Sequence, residues 1–268
     1  MTRDLMHADE VKAIVRDAYR AIDRSTEAVA DKLYSTDELA QLPRSTIERA
    51  LGVANHLRFA DIRPGETILD IGCGGGIDTM LAARRTGPTG RVIALAFLPE
   101  MLERTAAAAR EARLENVEPL EAEMEAIPLP DASVDLIVSN GVVNLSPRKA
   151  RVMAECARVL RPGGRLCVSD LTVAQDDLPP EIATQPAAWA GCVAGALKEE
   201  DFVAKLEQAG FKDIEVLHRE PLTVDDCALY PLFTDEVIEL MRRLIPAERQ
   251  REVAVSVVVR ASRPRTSG

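Results

Sequence analysis

Residues 66–78 constrain the chain most. The apolar run Thr67-Ile68-Leu69-Asp70-Ile71 breaks into Gly72-Cys73-Gly74-Gly75-Gly76 and, past Asp78, resumes as the helical pattern Thr79-Met80-Leu81-Ala82-Ala83-Arg84-Arg85. The order is strand, glycine turn, helix. Glycines allow positive φ and close approach of a ligand to the backbone, and the helix start offers free N–H groups to an anion, so a small charged ligand is expected there. A dinucleotide fingerprint needs Gly-x-Gly-x-x-Gly. Counting from Gly72 puts Gly74 in place but Ile77 where the third glycine belongs, which disfavours a nicotinamide cofactor. Asp70 sets an acid at the strand end, able to bind an ammonium or orient the loop.

Before this stretch, Val11, Val15, Ala18, Tyr19 and Ile22 recur at helical spacing among charges, predicting an amphipathic N-terminal helix. Residues 34–39 read as a turn capping a short helix that Leu42-Pro43 ends, and Leu51-Gly52-Val53-Ala54-Asn55-His56 leads to the Arg63-Pro64-Gly65 turn. Residues 1–62 are therefore expected to form a helical lid over a cofactor mouth, with Tyr34 and His56 as candidate catalytic residues. Further strands are expected at 91–96, 117–120, 135–140, 165–170, 211–217 and 253–260, with helices from Pro99, at 150–160 and at 198–209. Such alternation implies parallel strands joined by right-handed crossovers, with the ligand at their carboxyl ends. Asp70, Ala96, Glu123, Asn140 and Asp170 fall there, and His218 is expected to end the sixth strand. Residues 176–197 are too long for a simple crossover and 225–249 are rich in helix formers, so both read as helical insertions, after the fifth and sixth strands of a domain spanning 63–262. The first insertion could wall an acceptor pocket. Residues 263–268 read as a disordered tail.

A formal net charge of −10 without a basic block argues against a nucleic-acid surface and for small-molecule chemistry. No run approaches the roughly eighteen apolar residues of a membrane span. Met1-Thr2-Arg3-Asp4-Leu5 also lacks the apolar core of a signal peptide, so a cytoplasmic protein is expected. Cys73, Cys156, Cys167, Cys192 and Cys227 are scattered, odd in number and without a Cys-x-x-Cys pair. They support neither a disulfide framework nor a zinc site, and no metal is expected.

The stretch Leu69-Asp70-Ile71-Gly72-Cys73-Gly74-Gly75-Gly76 resembles the first motif of class I S-adenosylmethionine-dependent methyltransferases, and the strand order is similar to theirs from about Val11 to Arg260. Three further stretches narrow the resemblance to the arsenite methyltransferase branch: Ala126-Ile127-Pro128-Leu129-Pro130-Asp131, Ser139-Asn140-Gly141-Val142-Val143-Asn144-Leu145-Ser146-Pro147 and Trp189-Ala190-Gly191-Cys192-Val193-Ala194-Gly195-Ala196. The resemblance implies an α/β, Rossmann-like, seven-stranded fold that binds S-adenosylmethionine. It also implies that Asp70, Gly72 and Gly74 contact the methionine end, Glu123 and Met124 the adenine, and Asn140 the region near the reacting methyl.

The departures bear on the acceptor. Arsenite enzymes hold trivalent arsenic on cysteine thiolates from three places, and here two of those places carry Val53 and Gly141, leaving Cys192 as the counterpart of the third. Valine and glycine supply neither charge nor a sulfur donor for a thiophilic centre. The family's ribose-binding acid at the end of the second strand is also replaced, by Ala96. Losing charged-acceptor hydrogen bonds of about 1.5–3 kcal/mol weakens cofactor binding by roughly 10- to 150-fold. Glu100, one turn onward, is more readily a solvated first-turn residue than a substitute. The function expected is methyl transfer to a small organic metabolite, with Cys192, Asn140, His56 and Tyr34 as catalytic candidates. The alternatives are arsenite methylation and a methyltransferase fold that no longer transfers methyl groups.

Overall fold

The computed structural model describes residues 8–173 and 178–265. Seven strands form one sheet: β1 (Thr67–Ile71), β2 (Arg91–Ala96), β3 (Val117–Glu121), β4 (Val134–Asn140), β5 (Leu160–Thr172), β6 (Lys212–Leu222) and β7 (Ala254–Ser262). Their order across the sheet is β3-β2-β1-β4-β5-β7-β6. β1 pairs in parallel with both β2 and β4, so the order reverses beside β1 and opens a crevice at the carboxyl ends. The central strands are buried on both faces, which is why they read as continuous apolar runs. At the β3 edge, Pro119 is tolerated because an outward-facing position needs no ladder donor.

Helices α1 (Ala8–Arg20) and α2 (Glu27–Leu33) precede β1; α3 (Ile77–Thr86), α4 (Pro99–Glu111), α5 (Lys149–Val159) and α6 (Glu199–Gln208) lie among the strands, and α7 (Asp235–Leu244) between β6 and β7. Val11 and Val15 of α1 belong to the same apolar cluster as Ile68, Leu81 and Leu171, so the N-terminal segment shares the core of the sheet layer.

Three expectations change. β7 runs antiparallel to both β5 and β6, because its preceding segment returns the chain without a full crossover. His218 lies inside β6, which continues to Leu222 by pairing along β7. Arg263, expected to open a disordered tail, is tied to β5: its N–H donates to Gly164 O at 2.9 Å, its carbonyl accepts from Gly163 N at 2.8 Å, and its guanidinium reaches Leu160 O. Residues 266–268 of that tail and 174–177 at the start of the first insertion lie outside the described residues.

Candidate active site

The glycine turn joins β1 to α3. Gly72 takes φ +81°, and a Cβ there would lie 2.4 Å from Val142 Cγ2, so a side chain would meet both strain and a clash. The amides of Gly74 and Gly75 donate to no acceptor among the described residues. Beside the turn a cleft of about 760 Å³, open solvent included, runs along the ends of β1 and β2. Its floor is apolar, with Ile71, Leu95, Leu98, Met101 and Val142, and its rim carries Glu123 and Met124. Ala96 faces it at the position where the resemblance implies an acid in the family.

Helix α1 crosses the mouth of the cleft. Lys12 Nζ meets Glu123 at 2.6 Å, and Arg20 meets Glu100 at 2.8 Å. Exposed pairs such as these stabilise little, and their effect is to fix where the helix lies. Glu100 is committed to Arg20 and is absent from the cleft lining.

A second cavity adjoins the first across Gly72, Gly74 and Val142, and it is roofed by residues 49–52. Here Asn140 organises the walls. Its Oδ1 accepts from Val53 N at 2.8 Å, Ala54 N at 3.4 Å and Ser169 Oγ at 2.8 Å. Its Nδ2 donates to Ala54 O at 2.8 Å and to Asp78 Oδ2 at 2.9 Å, with Tyr34 Oη at 3.3 Å. Tyr34 in turn donates to Asp78 Oδ1 at 2.9 Å. Glycine is required at position 52, where a Cβ would lie 2.3 Å from Asn140 Nδ2. Burial, then the Asp78 charge, raises the Tyr34 phenol well above its ordinary pKa, so Tyr34 serves as a hydrogen-bond donor and not as a base.

A third cavity lies across Tyr19, Leu51 and Gly141 from the second, walled also by Val53, Leu171, Ala190, Cys192, Leu222, Tyr230, Leu232 and Phe233. Positions 53, 141 and 192 converge on it. Cys192 Sγ donates to Gly141 O at 3.0 Å, and a Cβ at Gly141 would lie 3.1 Å from Val53 Cγ1. Burial, reinforced by the charge of Asp170, pushes the Cys192 thiol well above its usual pKa. It is a protonated thiol at neutral pH.

Two candidates stand apart from these cavities. Asp70 is buried behind the turn, accepting from Thr79 Oγ1 at 2.5 Å, and burial followed by the Asp78 charge raises its pKa to about 7. His56 is fully buried, lines none of the three cavities, and neither ring nitrogen has a hydrogen-bond partner among the described residues. Burial lowers its pKa, with Asp78 opposing, so the ring stays neutral. Conversely, Tyr19 and Asp78 carry weight that the sequence reading did not assign. Tyr19 lines all three cavities, with its hydroxyl 3.4 Å from Ala190 O, and Asp78 sets a carboxylate in the second. Asp78 had a signal, an acid in the first turn after a glycine loop; Tyr19 was one apolar position among several on α1.

The Asp70 environment predicts a pH effect. A carboxyl whose folded pKa lies above its unfolded value of 3.8 binds more protons when folded, so its stabilising contribution is complete below pH 3.8 and is lost as pH rises through about 7. At 1.36 kcal/mol per tenfold in proton affinity, the loss is on the order of 4 kcal/mol. Asp70→Asn should therefore gain melting temperature relative to the parent as pH rises from 4 to 8. A difference that stays flat across that range would show Asp70 to be ionised throughout.

Comparison with known proteins agrees with this geometry. A sequence profile for the family described as a methyltransferase domain matches residues 62–210. The arsenite methyltransferase of Halobacterium salinarum is 40% identical over 190 residues, 71% of this chain and 48% of that protein. The human arsenite methyltransferase is 29% identical over 182 residues, 63% of this chain and 47% of its own. The chain thus spans about half the length of the curated relatives it matches. The crystal structure of CrArsM, an arsenic(III) S-adenosylmethionine methyltransferase from Chlamydomonas reinhardtii, superposes with a TM-score of 0.66 at 30% identity, covering 87% of this chain and 73% of that one.

Proposed function

The chain belongs to the methyltransferase-domain family, and from that premise we propose that it transfers the methyl group of S-adenosylmethionine to a small organic acceptor held beside Cys192. The cleft and the adjoining second cavity fit the cofactor in three respects: an apolar floor for the base, a glycine turn with unengaged amides, and the buried Asp78 carboxylate for the ammonium of the methionine end. The cleft departs in one, the missing ribose acceptor at Ala96. When bound, the cofactor supplies an electrophilic methyl carbon on a sulfonium. The chain's own residues then align and desolvate: Asn140 and Tyr34 hold Asp78, Tyr19 lies where the three cavities meet, and the third cavity presents the acceptor. Displacement at a methyl carbon gains chiefly from such alignment.

The convergence of Val53, Gly141 and Cys192 carries the choice of acceptor. Three thiolates there would hold a soft arsenic centre; a valine, a glycine and one protonated thiol offer room and apolar contact instead. Calorimetry with S-adenosylhomocysteine should show binding between micromolar and sub-millimolar, the range for a site lacking one polar contact. No binding by the folded protein would overturn the reading.

The Ala96 position gives a directional test. Ala96→Asp restores a charged acceptor facing the cleft and should tighten S-adenosylhomocysteine binding by about tenfold or more. Weaker binding in a folded variant would place the ribose elsewhere.

A further inference from the structure

Resting on the methyltransferase reading, we propose that the third cavity selects a small, apolar acceptor whose nucleophile is already anionic at neutral pH, such as an acidic phenol or an aryl thiol. Polarity comes from the cavity walls. They contain Val53, Leu171, Leu222, Leu232 and Phe233 and, among the described residues, no aspartate, glutamate, histidine, lysine or arginine. The hydroxyl of Tyr230 is committed to Gly52 O at 2.9 Å and that of Tyr19 faces Ala190 O, while the Cys192 thiol points to Gly141 O.

Those walls discriminate between nucleophiles by charge. An alcohol of high pKa needs a base to take its proton, and none of the described lining residues supplies one. A neutral amine becomes an ammonium on methylation, a cation with no carboxylate to meet it among the described lining residues. An anion balances differently. Its proton has gone to solvent before binding; its lone pair forms the bond to the methyl carbon as the carbon–sulfur bond breaks toward sulfur, and a cation and an anion become two neutral products. Before transfer, the anion's counter-charge is the sulfonium, so the acceptor should bind after the cofactor.

Spectroscopic titration tests this without turnover, because the anions of 4-nitrophenol and 4-nitrothiophenol absorb apart from their protonated forms. The protein is loaded with sinefungin, which carries an ammonium in place of the sulfonium, or with S-adenosylhomocysteine, which is neutral there. At least one of the two anions should bind the sinefungin complex tenfold or more tightly than the S-adenosylhomocysteine complex, and 4-nitroaniline should show no such preference. The phenol and thiol arms distinguish oxygen from sulfur acceptors. Leu222→Trp, which fills the cavity from the end of β6, should abolish anion binding and spare S-adenosylhomocysteine binding. Binding of the protonated forms, equal binding to the two complexes, or preferential binding of 4-nitroaniline would overturn the proposal. Failure of both cofactor analogues to bind would overturn the methyltransferase reading itself.

Discussion

Replacing Asn140 with alanine is expected to destabilise the protein by about 4 kcal/mol and lower its melting temperature by roughly 10 °C. The side chain is nearly buried and satisfies the amides of Val53 and Ala54, the carbonyl of Ala54, Ser169 Oγ and Asp78 at once. Truncation leaves these groups facing each other without partners, and a buried polar group so stranded costs about 1–3 kcal/mol. The roof over the glycine turn should loosen, and S-adenosylhomocysteine affinity should fall with stability. Ser169→Ala removes a single one of these bonds and should cost about 1 kcal/mol. Asn140→Asp puts a carboxylate against Asp78 and should be less stable than the alanine variant at pH 7, recovering as pH falls. Thermal melts and calorimetry on the three variants check this. Asn140→Ala with unchanged melting and binding would remove Asn140 from the centre of the site.

How much of this was legible follows from what each feature needs. The strand, glycine turn and helix were legible because periodicity and glycine chemistry are local, and Gly72 at φ +81° is the kind of position such a turn demands. The convergence of residues 53, 141 and 192 came through family resemblance and not through spacing, since it depends on three segments meeting. The direction of β7 was not legible: an apolar run reads the same in either direction. β6 was read short because its second half lies at an exposed edge, with charged residues replacing apolar alternation around His218. His56 near the lid looked like a base by position, yet burial takes its ring away from all three cavities. Tyr19 belongs to the same helical face as core residues Val11 and Val15, so its place where the cavities meet appears only in three dimensions.

Restoring sulfur at the two altered positions should produce the other large effect. Val53→Cys and Gly141→Cys together place three thiols around one cavity, since all three positions line it, a Cβ at position 141 would lie 3.1 Å from Val53 Cγ1, and the Gly141 carbonyl is 3.0 Å from Cys192 Sγ. Gly141 has φ +68°, strained for a side chain by about 1–2 kcal/mol, but Cys192 occupies a similar backbone conformation at +63°. Multiple soft ligands hold a thiophilic ion far better than one, so arsenite affinity should rise by a hundredfold or more over the parent. Each single variant should fall between. A double variant that folds but binds arsenite no better would show that the three side chains do not face a common centre.

The measurement that bears most directly on the acceptor uses the unmodified protein, incubated with arsenite, glutathione and S-adenosylmethionine, with arsenic species separated and quantified. With Cys192 protonated and Val53 and Gly141 in place of sulfur donors, no methylated arsenic should accumulate above the protein-free control. Robust formation of methylarsenicals would contradict the assignment of an organic acceptor.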